Sequence, residues 1–139
     1  MADGARDSPP PSRPRERFRR GFVTHLLPAL AWSVAIFVGG SSGMPQVDGP
    51  HTVGFDKLEH ALAFLGLQVL CFRALRFELP ERKRTELAWW AALAAIAIGI
   101  ALELYQLGLP DRSAEVADAV ADSVGAVLGA LLLSRVSWF

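Results

Sequence analysis

The chain has almost no cysteine. Cys71 is the single one in 139 residues, which excludes an intrachain disulfide and any Cys-x-x-Cys redox or zinc motif. It lies inside an apolar run and reads as a small packing residue rather than a nucleophile. Histidine is sparse at three residues. No His-Glu-x-x-His, Gly-x-Gly-x-x-Gly or Walker-type loop occurs, so the zinc-protease, dinucleotide and nucleoside-triphosphate signatures are missing. Net charge is missing too, because 14 Lys and Arg balance 14 Asp and Glu. What the chain does have is apolar sequence. Apolar residues make up 52% and mean hydropathy is +0.31, both high for a soluble domain. The length allows one domain with a tail.

The apolar residues fall in runs. Met1 to Gly21 stands apart, with Pro9, Pro10, Pro11 and Pro14, six arginines and few apolar residues. It cannot bury a core and is expected to be a disordered basic tail, 1–21. No aromatic-basic surface follows it, which excludes a nucleic-acid partner. Phe22 to Gly39 is the first apolar run, about 18 residues and so about 27 Å of helix, enough to cross a bilayer core. The small residues after it, Gly39-Gly40-Ser41-Ser42, make a poor cleavage site, so the run reads as an uncleaved span. Gly40 to Phe55 reads as a loop, with weak strand character around Val53. Leu58 to Leu75 is a weaker span containing Gln68, which needs partner helices on its polar side. Arg73 to Glu86 is a charged connection. Leu87 to Leu109 is the third span, opened by Trp89 and Trp90 as an interfacial belt. A tight turn with Pro110 leads to the fourth span, about Ala114 to Val136. The expected fold is therefore all-α: a polytopic membrane protein, a compact bundle of four transmembrane helices over residues 22–136.

Lys and Arg set the orientation. With the N-terminus in the cytoplasm, the tail, the Arg73–Arg84 connection and Arg135 put twelve basic residues inside, against Lys57 and Arg112 outside. Both termini are then cytoplasmic in a multi-pass protein of the cell membrane, with the lipid bilayer as its first partner.

The polar residues concentrate between Glu103 and Gly129. With Ser113 as N-cap of the fourth helix, Asp118 lies roughly 7 Å along it and Asp122 roughly 13 Å. A charge deep in a bilayer costs about 2.5–3.5 kcal/mol, so Asp122 and Glu103 must face the bundle interior, each with a partner. Asp118, Asp122, Gly125 and Gly129 step by four, three and four and share one helix face. Its outer part is acidic. Its inner part is Gly-x-x-x-Gly, which lets another backbone approach closely. On the third helix Ala92, Ala95 and Gly99 lie beneath Glu103 and Gln106. The two helices are expected to pack on each other through these small residues, Gly99, Gly125 and Gly129. Asp56, Lys57 and His60 on the second helix face the same outward mouth.

Asp56-Lys57-x-x-His60, Glu103-x-x-Gln106-x-x-x-Pro110-x-Arg112 and Asp118-x-x-x-Asp122-x-x-Gly125-x-x-x-Gly129 together resemble the VanZ-like membrane proteins, over about residues 22–136. The resemblance implies a bacterial envelope protein related to resistance to glycopeptides, teicoplanin in particular. It also implies asparagine where this chain has Asp122. It supplies no mechanism.

Three readings of the polar mouth stay open. In the first, Asp56, Lys57, His60, Glu103, Gln106, Arg112, Asp118 and Asp122 form a binding site for a lipid-linked or wall-related ligand, with Lys57, His60 and Arg112 meeting an anionic group. In the second the chain is a membrane-embedded enzyme, in which His60 and the carboxylates perform acid–base chemistry or hold a metal. One histidine with acids on scattered helices does not itself make a metal site, and neither metal nor cofactor is assigned. In the third, Lys57 or Arg112 pairs with Asp118, and Glu115 sits near a helix N-terminus, simply to lock the loops of the bundle. Catalytic residues, ligand and oligomeric state are not legible.

Overall fold

A computed structural model describes residues 21–41, 52–109 and 115–135. A π-helical turn, Phe22–Leu26, leads into α1 (Leu27–Ser41); α2 (Thr52–Glu78), α3 (Arg84–Gln106) and α4 (Val116–Arg135) follow. No strand occurs among the described residues. Four helices are long and apolar enough to cross a membrane: Phe22–Gly40, Phe55–Glu78, Arg84–Gln106 and Val116–Arg135. The all-α bundle expected from the sequence is thus present, with one local correction. Thr52 to Phe55, including Val53, belongs to helix α2 and not to a loop with strand character. Isolated β-branched character is a weak local signal, and a helix already set by the apolar run beyond it extends over it. Arg112 and the proposed N-cap Ser113 lie outside the described residues.

The π turn has a covalent cause. Pro28 has no N–H to donate to the carbonyl four residues back, so α-helical bonding cannot run unbroken through this turn. The Leu27 N–H reaches Phe22 O instead, five residues back. Pro80 acts similarly after α2, where the chain leaves the helix at Leu79 and turns through Arg82 N–H donating to Leu79 O at 3.1 Å. A connection this short makes α2 and α3 antiparallel neighbours.

The core is built by mixing large and small side chains. Ala88, Ala91, Ala92 and Ala95 line one face of α3 and are buried. They pack with Phe64, Leu67 and Phe72 of α2 and with Ala126 and Ala130 of α4. The small residues bring the helix axes close, and the α2 aromatics fill what remains. Helix α1 is peripheral. Ala29 is its one buried hydrophobic residue among those described, while Trp32, Val34 and Val38 stay exposed. The Trp32 Nε1–H donates to Ala63 O at 2.9 Å and fastens α1 to α2. Exposed Val and Leu on the other helices face outward, as apolar side chains do in lipid.

The glycine face of α4 corrects a second expectation. A Cβ on Gly125 would strike the backbone of Ala61, and one on Gly129 the side chain of Gln68. Both glycines therefore receive α2, not α3. A Gly-x-x-x-Gly pattern identifies a close-approach face but not which helix uses it. Gly99 is the small residue at the α3–α4 contact, where a Cβ would lie 3.0 Å from Asp122 Oδ2.

The bundle is polarised end to end. At one end Arg76 donates to Pro80 O, and Arg82 pairs with Glu86 at 3.0 Å. Arg84 Nε donates to Leu133 O at 2.6 Å, tying the start of α3 to the end of α4. At this same end His25 stacks on Phe77 with ring centroids 4.5 Å apart. Asp56, Glu103, Glu115, Asp118 and Asp122 collect at the other end.

Candidate functional site

Three helix ends meet at the acidic end: the start of α2, the end of α3 and the start of α4. On α2, Asp56, Lys57 and His60 are spaced so that all three reach the α2–α4 groove. The Lys57 ammonium bridges the two helices. It donates to Asp56 Oδ2 at 3.1 Å, to Glu115 Oε2 at 3.0 Å and to Asp118 Oδ1. One turn deeper, His60 Nδ1 lies 2.9 Å from Asp122 Oδ1, and Nε2 lies 3.9 Å from Asp118 Oδ2. A carboxylate facing Nδ1 favours the tautomer that carries its proton there and leaves Nε2 as the acceptor. Asp122 is only 1% exposed. Its second oxygen, Oδ2, has no hydrogen-bond partner and is turned toward the bare backbone of Gly99.

Helix α3 adds two groups. Glu103 is 8% exposed. Its Oε2 accepts the Glu115 backbone N–H at 2.9 Å, satisfying a donor that the start of α4 would otherwise leave unpaired. Its Oε1 is buried without a partner. Gln106 Nε2 donates to Gly40 O at 3.0 Å, attaching the end of α1 to the cluster. Deeper in the bundle, Gln68 is fully buried and donates to Ala88 O at 3.2 Å, so it joins α2 to α3 away from the cluster.

Seven of the eight residues singled out in the sequence thus collect at one end, and Arg112 lies outside the described residues. Lys57, His60, Asp118 and Asp122 form one connected chain with Asp56. Glu103 joins it through Glu115, while Gln106 is turned away toward α1. Glu115 was read only as a charge near a helix N-terminus, yet it is a full member of the cluster. Its signal was in the sequence, because Glu115, Asp118 and Asp122 step by three and four and extend the glycine face upward. Among the described residues, no three His, Cys, Asp or Glu side chains are grouped so as to hold a metal ion.

The sequence profile of the VanZ/LLP1 family matches residues 9–137. The chain belongs to the VanZ/LLP1 family. With its four apolar helices, this VanZ/LLP1 member is a multi-pass membrane protein. The match begins well inside the basic N-terminal stretch, which the motif resemblance had left out. No curated protein and no solved structure matches the chain significantly.

Proposed function

We propose that this VanZ/LLP1 protein acts in the bacterial cell envelope, with the acidic end of its bundle facing outward and binding a polar headgroup or wall-related ligand. Residues 22–136 are the working unit, and the basic residues 1–21 are its cytoplasmic tail. The orientation is supported by the excess of Lys and Arg in the tail, at the facing ends of α2 and α3 from Arg73 to Arg84, and at Arg135, since positive residues are retained on the cytoplasmic side. One observation carries the binding reading. Two carboxylate oxygens, Glu103 Oε1 and Asp122 Oδ2, are buried without a hydrogen-bond partner inside the cluster. A bundle needing only ion pairs to lock its loops gains nothing from such groups, because each unsatisfied buried acceptor costs about 1–3 kcal/mol.

The test compares abundance with phenotype in the same cells. His60→Ala, Glu103→Gln, Arg112→Ala and Asp118→Asn each remove a charge or hydrogen-bonding group while leaving most apolar packing intact. As members of a site, these variants reach the membrane at near wild-type amounts and lose their effect in an envelope assay. Glycopeptide susceptibility is the first assay, given the family. Loss of phenotype strictly in step with loss of protein would assign the cluster to folding. Normal susceptibility in all four well-expressed variants would end the site reading, in a strain where deleting the protein does change susceptibility.

A second reading is favoured by the His60 geometry. An imidazole oriented by a buried carboxylate through Nδ1, with Nε2 making no polar contact among the described residues closer than the Asp118 carboxylate at 3.9 Å, is the arrangement of a general base. This reading makes the protein an acid–base enzyme on a lipid-linked or wall-related substrate. It predicts turnover by the purified protein that His60→Ala abolishes.

A further inference from the structure

The charge inventory of the cluster is one-sided. Five carboxylates, on Asp56, Glu103, Glu115, Asp118 and Asp122, stand against the Lys57 ammonium and the His60 imidazole among the described residues. Neither group is available to an anion. Lys57 meets three carboxylates at once, and His60 is held by Asp122 with Asp118 beside it. Counting Arg112 of the sequence as a further positive charge still leaves the excess negative. An anionic headgroup entering here would have to displace internal ion pairs and would face the remaining carboxylates, a like-charge contact that disfavours binding.

The groups lacking partners call for the opposite chemistry. Glu103 and Asp122 are both more than nine-tenths buried. Each has one oxygen committed inside the cluster, Glu103 to the Glu115 N–H and Asp122 to His60. The other oxygen of each has no donor. An ionised carboxylate is an acceptor only, so what completes it is a donor. Lys57 shows what these carboxylates organise around, since its ammonium places its N–H groups on acids from two helices. A metal ion is a poorer fit, because no three ligating side chains among those described are grouped for one.

From this we infer that the ligand of the site is a cation that donates N–H hydrogen bonds, a primary ammonium group, and not an anion. The inference rests on the reading of the cluster as a binding site and names its ligand class. Two sources carry that chemistry: the headgroup of an aminophospholipid in the surrounding leaflet, and a soluble or wall-borne amine arriving from outside. Glu103 and Asp122 supply the acceptors, and Asp118 and Asp56 supply the surrounding negative potential.

The full-length protein in nanodiscs tests this. Discs of phosphatidylcholine alone are compared with discs containing phosphatidylethanolamine or phosphatidylglycerol, reading the unfolding midpoint and the lipid retained on the protein. Phosphatidylethanolamine and phosphatidylcholine share the same charges but differ in N–H donors, so their comparison isolates the donor requirement. Ethanolamine and tetramethylammonium are then titrated into phosphatidylcholine discs, as a soluble amine with donors and a cation without them. Selective retention of phosphatidylethanolamine assigns the headgroup source. A midpoint raised by ethanolamine but not by tetramethylammonium, without lipid selectivity, assigns the soluble source. In either case Glu103→Gln weakens binding by about tenfold, the loss expected for one charge-assisted hydrogen bond. Asp122→Asn provides the same comparison should Glu103→Gln not fold. Selective retention of phosphatidylglycerol, lost in Lys57→Met, would overturn the ammonium inference and leave the binding reading intact. Equal retention of all three lipids with no ethanolamine response would overturn it as well, while the in-cell comparison of abundance and phenotype judges the binding reading on its own.

Discussion

Gly125→Ala adds one methyl group where α4 meets the backbone of α2. The new Cβ would meet the carbonyl oxygen of Ala61, with the Ala61 carbonyl carbon at 2.8 Å and Cα at 2.9 Å. All three atoms are backbone, so no rotamer change relieves the contact and α2 must move away from α4. Overpacking of this kind costs about 1–3 kcal/mol, with rigid neighbours at the upper end. Alanine returns about 0.8–1 kcal/mol through its better helix propensity. The net expectation is destabilisation by about 2 kcal/mol, and more for Gly125→Leu. Two other glycines calibrate the argument. At Gly129 the obstructing atoms belong to the Gln68 side chain, which can turn aside at the expense of its bond to Ala88 O. Gly129→Ala should therefore destabilise by about 1 kcal/mol less than Gly125→Ala. At Gly39 a Cβ meets nothing within 4 Å, so Gly39→Ala should be neutral or stabilising by up to about 1 kcal/mol. Reversible unfolding in mixed micelles measures all three. Cysteine pairs across α2–α4 and α3–α4 report which interface opens. Equal stability of Gly125→Ala and wild type would refute the close approach, and opening of α3–α4 with α2–α4 intact would refute the assignment of partners.

Further outcomes follow from the same contacts. Lys57→Met leaves Asp56, Glu115 and Asp118 without their shared cation; the site is partly exposed, so the loss should be about 1–3 kcal/mol and sensitive to salt, as urea or heat unfolding at two ionic strengths can read. Asp122→Asn keeps an acceptor for His60 Nδ1 and should preserve folding, whereas Asp122→Leu removes it; monodisperse elution of both in detergent would show that the His60 contact is dispensable. Reporter fusions after Gly21, Arg82 and Phe139 should read cytoplasmic and those after Pro50 and Asp111 external, and an external signal at Arg82 would reverse the proposed orientation.

The sequence alone determined where the helices lie. Long apolar runs separated by charged or proline-containing connections leave a chain few alternatives, because backbone polar groups in lipid are satisfied only within helices or closed barrels. It also showed that Glu103, Asp118 and Asp122 belong together. Acids are too costly on lipid-facing surfaces, and the three-and-four spacing put Asp118 and Asp122 on one face with Gly125 and Gly129. What it did not determine was pairing across helices. Gly-x-x-x-Gly says that some backbone comes close, and only the bundle decided that Ala61 and Gln68 of α2 occupy that face while Gly99 of α3 meets Asp122. Lys57 likewise read either as a charge available to a ligand or as a partner of Asp118, until three carboxylates from α2, the start of α4 and the residue before it converged on it. Helix periodicity is a local property carried by neighbours three and four residues apart. Which face meets which depends on the packing of all four helices at once, and the partner of a buried charge is settled only there.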